Sequence, residues 1–280
     1  MTVKIVTDSV ADLPANVVKE LGITVIPLLV RFGETVYRDG IDLTTEQFYD
    51  KLKHSKILPG TSVPSLAAVA EAYDRLAEDT DEILVITLSS KLSGTWEVAR
   101  QGIELMEKKC RVAVIDSEWA TMAEGFIVMK AAKAALAGAT FDELIALIRE
   151  TIPRVDFLCT FDTLEYLRRG GRIGKAQTFL GSVTRVNPLI TLRNGVVEPA
   201  GKTFSRAKAK EKLLSFAMNY SSIEYMAVED TACHEEAEIM IEKLDAKFPM
   251  EHILRSKMTP VIGTHTGPGL LLVAILGDKS

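Results

Sequence analysis

Ser89, Ser90, Ser93 and Thr95 crowd into one stretch, VITLSSKLSGTWEVAR at 85–100, with Gly94, one lysine and no acid before Glu97. An apolar run, Ile83–Thr87, precedes them and reads as a buried strand, and a helical pattern begins near Trp96. Such a strand-to-helix turn suits an anion. The first N–H groups of a helix lack partners and carry a partial positive charge, and hydroxyls add donors. Ser93 also reads as a plain N-cap, although a full capping box would place Glu or Gln at 96, where Trp96 stands. Four hydroxyls in one loop exceed what a cap requires.

Two further stretches carry the same chemistry. In LPGTSVPS at 58–65, Pro64 suits the first turn of a helix, which would put Thr61 and Ser62 at a second helix N-terminus. In VIGTHTGPGLL at 261–271, His265 stands between threonines and is followed by Gly-Pro-Gly, a pattern that permits close backbone approach. PVIGTH reads there as a strand, and a lone His in a strand is more often structural. TLEYLRRGGRIGK at 163–175 gathers Arg168, Arg169, Arg172 and Lys175 around a glycine pair that ends a helix. It is no phosphate-binding P-loop, because position 169 is Arg and position 176 is Ala. It reads either as a helix C-cap with solvated charges or as a docking surface for an acidic partner or a phosphate. Asp8-Ser9 and Asp116-Ser117 each follow a strand, where an aspartate can cap a turn, bind metal or act as a nucleophile.

The elements that must position these groups alternate. VKIVT at 3–7, ITVIPLLV at 23–30, EILVIT at 82–87 and RVAVIDS at 111–117 read as strands. Helical patterns fall near 14, at 44–52, 64–79 and 95–108, and continue at 119–137 and 141–152. Continuous apolar strands alternating with helices imply a parallel sheet covered on both faces. Pro153 marks a boundary, giving an N-terminal α/β domain over 1–153 and a second domain over 154–280. The second half has another grammar. DFLCTF at 156–161 is a strand followed by a helix, and NPLITLRNGVVEPAG at 187–201 is a hairpin about Asn194-Gly195. A helix at 205–219, the strand SIEYMAVED, another helix and the closing strands HILRSK, PVIGTH and GLLLVAIL complete an α+β domain with a mixed or antiparallel sheet.

The totals narrow the function. At 280 residues the chain has length for about two domains. A net charge of −5 argues against a nucleic-acid reader. Cys110, Cys159 and Cys233 are few and widely spaced, with neither a disulfide framework nor a zinc spacing, and suit a reducing cytoplasm. The chain opens directly on a strand, so no signal peptide is expected, and no apolar run approaches the roughly 18 residues of a membrane span.

Taken together, VTDSVADLP, PGTSVPS, LSSKLSGTWEVA, VIDS, TLEYLRRGGRIG, NPLITLRNG and THTGPG, in this order over nearly the whole chain, resemble the DegV family of bacterial fatty-acid-binding proteins. The resemblance implies a two-domain α/β protein, without cofactor or metal, holding one long-chain fatty acid such as palmitate between its domains. The carboxylate would lie near the interface and the tail in an apolar tunnel of the C-terminal domain. It implies that Thr61, Ser62, Ser93, Gly94 and His265 surround the head group. Some members carry the acyl chain for a fatty acid kinase, whose separate ATP-binding subunit phosphorylates the carboxylate; Arg169 and Arg172 would face that partner. One departure stands out: members with that partner commonly carry an arginine in a segment like KVRTRKKA, whereas KTFSRAKA at 202–209 has Phe204 at that position, with Lys202 and Arg206 nearby.

The physical case stands beside the resemblance. About 15 buried methylenes contribute roughly 12 kcal/mol gross, against about 4–15 kcal/mol of lost freedom. The tail thus decides whether a lipid binds, and the polar loops decide its orientation. The rival reading is a small-molecule transferase or hydrolase with Ser93 or Asp8 as nucleophile and His265 as base. Against it, the chain has no G-x-S-x-G elbow and no acid evidently paired with His265.

Overall fold

A computed structural model describes residues 2–180, 186–248 and 253–280. The chain runs β1 (Lys4–Asp8), α1 (Ala15–Glu20), β2 (Thr24–Ile26), β3 (Leu29–Phe32), β4 (Thr35–Arg38), α2 (Thr45–His54), β5 (Gly60–Ser62), α3 (Leu66–Leu76), β6 (Glu82–Thr87), α4 (Thr95–Glu104) and β7 (Arg111–Asp116). It continues through α5 (Met122–Leu136), α6 (Phe141–Thr151), β8 (Val155–Thr160), α7 (Glu165–Arg169), β9 (Asn187–Arg193) and β10 (Val196–Thr203). It closes with α8 (Arg206–Ala217), β11 (Tyr220–Asp230), α9 (His234–Asp245), β12 (Ile253–Lys257), α10 (Pro260–Thr266) and β13 (Leu271–Lys279).

Among the described residues the strands form three sheets. The apolar runs at 4–8, 24–26, 82–87 and 111–116 form a parallel sheet of order β2-β1-β6-β7, with Val6 opposite Val85 and Ile86 opposite Ile115. The chain leaves β1 toward β2 on one side and leaves β6 toward β7 on the other. The strand order therefore reverses between β1 and β6, and open α/β sheets place ligands outside the carboxyl ends of strands at such a point. The second sheet has the order β10-β9-β8-β13-β11-β12 and is mixed: only β11 and β12 run parallel. This is the expected α/β fold, with a parallel sheet in the first half and a mixed sheet in the second. The hairpin turn is also as read. Asn194 and Gly195 both take positive φ, 49° and 76°, between β9 and β10. Helix α5 is buried on nearly every side and packs against β1 and β6 as well as β8, β11 and β13, so it is the wall between the two sheets.

Three expectations are corrected. ITVIPLLV is not one strand. Pro27 has no N–H to give a ladder, and the chain breaks there. β2 stays in the parallel sheet, while β3 joins a third, antiparallel sheet of order β4-β3-β5. Thr61 and Ser62 do not begin a helix but lie in β5, and the cap of α3 is Ser65, whose hydroxyl accepts from the Ala68 N–H at 3.2 Å. PVIGTH is no strand: it lies within α10, with Pro260 in the first turn and Gly267 at φ +67° ending it. The β-branched Val261 and Ile262 suggest a strand locally. Burial of Val261 and two backbone anchors decide otherwise, with Asp12 Oδ1 accepting from the Thr259 N–H at 2.9 Å and Asp39 Oδ1 from the Val261 N–H at 3.3 Å.

Candidate functional site

The strand reversal point opens onto an apolar cavity. It holds about 780 Å³ of space free of atoms, its open mouth included. One wall comes from the loops after the parallel strands: Val10 after β1, Leu88 and Leu92 after β6, and Ala120 after β7. The facing wall is one side of the mixed sheet. Phe157 and Cys159 on β8 with Phe161 just beyond it, Ile190 and Leu192 on β9, and Leu272 on β13 recur at alternate positions, as residues on one sheet face must. α10 supplies the side, through Val261, Ile262, His265 and Thr266. Most of these side chains are buried.

Polar groups gather at one end. Thr61 and His265, brought together from β5 and the last turn of α10, are bonded through Oγ1 and Nε2 at 2.8 Å. Ser93 also lines the cavity; its Oγ lies 2.9 Å from Thr95 Oγ1 and accepts from the Thr95 N–H at 3.3 Å. Arg172 closes the group. Its Nε donates to the Leu92 carbonyl at 3.0 Å, beside Ser93, and a terminal N–H donates to the Gly170 carbonyl at 2.7 Å. Burial and the nearby Arg172 charge push His265 down to about 4, so its imidazole is neutral at physiological pH. The end of the cavity therefore offers hydroxyls, a neutral ring and one guanidinium at the mouth. That set can orient a carboxylate without locking it into a buried ion pair.

The other expected residues fall elsewhere. Ser62 follows Thr61 in β5, so its side chain points to the opposite face, and it is exposed. Gly94 is the exposed N-cap of α4 and is not in the cavity wall. Arg169 is on the surface with Arg168, both paired to Glu165, whose carboxyl they hold down to about 2. Arg172, assigned with Arg169 to a docking surface, is exposed and also lines the cavity. Phe204 is 71% exposed, while Arg206 is engaged with Glu236 at 2.7 Å.

Asp8 and Asp116 hold the loops rather than line the cavity. Asp8 accepts from the N–H groups of Val10 and Leu88, both at 2.9 Å, tying the loop after β1 to the loop after β6. Asp116 does the same between the loops after β6 and β7, accepting from Ser90 N–H at 3.2 Å and Glu118 N–H at 2.8 Å. Ser89 reaches across the molecule, its Oγ donating to the Gly195 carbonyl at 2.8 Å in the β9–β10 turn. Ser9 and Ser117 likewise serve turns, with Ser9 Oγ donating to Asp39 at 2.7 Å and Ser117 Oγ accepting from Trp119 N–H at 3.1 Å. Among the described residues no cluster of His, Cys, Asp or Glu is arranged to hold a metal ion.

The two glycine-rich motifs explain each other. α7 and α10 are in contact. A side chain at Gly267, whose φ is +67°, would run into the Tyr166 ring, and one at Gly170 would run into the His265 imidazole. RRGGR and THTGPG are thus the two halves of one close approach, which seats His265 at the polar end of the cavity.

An α/β protein with an apolar cavity and a polar end at its strand reversal is the class that the fold and site define. The chain belongs to the DegV family: the model described as "Uncharacterised protein, DegV family" matches residues 2–278. It is 34% identical over 276 residues to the protein DegV of Bacillus subtilis, covering 97% of this chain and 98% of that one. Its fold is similar to that of a DegV family protein of Thermus thermophilus described by its fatty acid binding, with a TM-score of 0.91 and 30% identity, covering 99% of this chain and 100% of that one. It is also similar to a stearic acid-binding protein of Eubacterium ventriosum, with a TM-score of 0.87 and 26% identity over 98% of each chain. No helix among the described residues is long and apolar enough to cross a membrane.

Proposed function

We propose that this protein binds one long-chain fatty acid, of palmitate to stearate length, with the tail in the apolar cavity and the carboxylate among Thr61, Ser93 and His265. The observation that carries this reading is the pairing of an apolar cavity with the Thr61–His265 hydrogen bond at its polar end. Relatives described as fatty-acid-binding support it. Ser62 and Gly94, off the cavity wall, are outside the contact set. In this reading residues 1–153 carry the head-group loops and residues 154–280 form the tail wall. The three free cysteines suit a cytoplasmic protein.

The carboxylate end lies beside the exposed Arg172, and Arg169 is exposed on the same short segment of chain. We place the protein as a carrier that presents the carboxylate to a separate ATP-binding kinase subunit for conversion to an acyl phosphate. Phe204, with Arg206 engaged elsewhere, leaves Lys202 as the exposed basic side chain of the 202–206 segment for that contact. The hydrolase reading finds no support in the geometry. His265 Nε2 bonds Thr61 rather than Ser93, Nδ1 has no partner among the described residues, and Asp8 is not in the cavity wall.

The test is direct. Denatured protein is extracted and the extract is run by mass spectrometry, with thermal shift against C14–C18 fatty acids in parallel. Co-extracted fatty acid at near one per chain, or a clear shift, is expected. An empty protein with no shift would remove the reading.

A further inference from the structure

His265 bonds Thr61 through Nε2, and its other nitrogen, Nδ1, is buried without a hydrogen-bond partner among the described residues. The edge of the ring that carries Nδ1 lies where a side chain at Gly170 would stand, so one Cα–H of Gly170 faces it. A neutral imidazole carries one proton, and the surroundings decide on which nitrogen. A proton on Nδ1 would press against that Cα–H as a buried donor with nothing to receive it. A bare Nδ1 meets the Cα–H as a weak acceptor. The Arg172 guanidinium, tied to the carbonyl of the same Gly170, adds positive charge near the ring and helps to keep it neutral.

We infer that Gly170 is a positioning residue that fixes His265 as the Nε2–H tautomer and thereby turns Thr61 into a donor toward the ligand. With Nε2 carrying the proton, the bond to Thr61 runs from the ring to Oγ1. Thr61 Oγ1, having accepted, keeps its own proton to give, and Thr61 lines the cavity. The opposite tautomer would have Thr61 donate to the ring and present lone pairs to a carboxylate, which repels it. The motif RRGGR thus reaches the head-group site through a missing side chain rather than through its charges. This rests on the carboxylate reading above only in its last link.

The test begins with the wild-type protein labelled with 15N at histidine. Two-bond 15N–1H correlation spectra distinguish the tautomers directly. The His265 pattern, assigned by its loss in His265→Asn, is expected to be that of Nε2–H with a bare Nδ1 from pH 6 to 8. A pattern of Nδ1–H overturns the inference whatever the protein binds. Gly170→Ala, checked for folding by circular dichroism, is expected to alter this pattern and to weaken fatty acid binding by about tenfold or more. A folded variant with the wild-type pattern and affinity overturns the role of Gly170. Thr61→Val, assayed with palmitate, separates the last link. A tenfold weaker affinity beside an Nε2–H ring supports the inference. Unchanged affinity leaves the tautomer standing but overturns the donation by Thr61 and counts against the carboxylate reading.

Discussion

Thr61 and His265 are 204 residues apart in the chain, and their side chains are hydrogen-bonded at 2.8 Å. The contact joins the short strand β5 to the last turn of α10 and closes the polar end of an otherwise apolar cavity. Everything that seats it is remote in sequence. Asp12 and Asp39 hold the start of α10, Gly170 leaves room for the ring, and the pairing of β3 with β5, Val30 opposite Thr61, fixes Thr61.

Loss of the Ser93 hydroxyl should separate head-group chemistry from tail binding. Most of the binding free energy comes from buried methylenes, whereas one hydrogen bond to a charged group is worth about 1.5–3 kcal/mol. Ser93→Ala is expected to weaken palmitate binding by roughly tenfold and to leave the methyl ester of palmitate nearly unaffected. Calorimetric titration of both ligands is the check, and equal loss for both would count against the assigned role.

The tail wall makes a separate prediction. Cys159 is buried on β8, facing the cavity, with its Sγ 3.3 Å from the Ile190 carbonyl. Cys159→Phe adds bulk inside the slot. Over-packing is expected to cost about 1–3 kcal/mol of stability. The variant should lose C16–C18 acids while retaining shorter chains, as read by mass spectrometry of competing acids. An unchanged chain-length profile would place the tail elsewhere.

Gly267 offers a test of the α7–α10 contact. Alanine there meets the Tyr166 ring and must hold φ near +67°. Gly267→Ala is expected to destabilise by roughly 1–3 kcal/mol in urea denaturation. Tyr166→Ala in the same chain should recover part of that loss, since it empties the space. No recovery would show that the backbone conformation alone sets the cost.

Stability should rise as pH falls from 8 to 6.5. Asp8, Asp12, Asp39, Glu124 and Glu229 are buried without an ion-pair partner among the described residues. Burial pushes Asp8 and Glu229 up to about 7 and Asp39 up to about 6, and holds Asp12 and Glu124 well above the usual carboxylate range. Each binds its proton more tightly folded than unfolded. Its stabilisation is therefore complete below the unfolded value, near 4, and is lost as pH rises through the folded one. His265 runs the other way. Pushed down to about 4, its contribution is present above the unfolded value, near 6.5, and is lost as pH falls toward 4. Between pH 8 and 6.5 the carboxyls outweigh it, because the unfolded imidazole is at most half-protonated there. Thermal melts at constant ionic strength should show a rising Tm over that range, and a flat or falling Tm contradicts the burial of these groups in protonated form.

Much of this architecture is legible in the chain because it is written locally. The apolar runs that become β1, β6 and β7, and the Asn194-Gly195 turn, carry their own pattern. What is not legible depends on distant partners. Nothing near Val261 and Ile262 announces a helix, because Asp12 and Asp39 anchor it from more than two hundred residues away. Pro27 signals a break, yet not that the chain leaves for a third sheet. Ser93, Thr61 and His265 stand out as hydroxyls and a histidine among glycines, and the structure brings them together. Ser62 shares the motif of Thr61 but points to the other face, as strand alternation requires once β5 is a strand. Arg172 looks like its neighbours Arg168 and Arg169, and only the position of Leu92 and Gly170 turns it toward the cavity. The cavity wall formed by β8 and β9 is not legible because its alternate residues look like those of any buried strand.

The central claim is that the cavity holds the tail of one fatty acid. Native mass spectrometry of the protein as isolated from cells, followed by denaturing extraction, tests it most directly. The account predicts a mass excess matching one C14–C18 fatty acid per chain, recovered in the extract. A protein that carries no lipid, and that takes up none when offered palmitate or stearate, would contradict it.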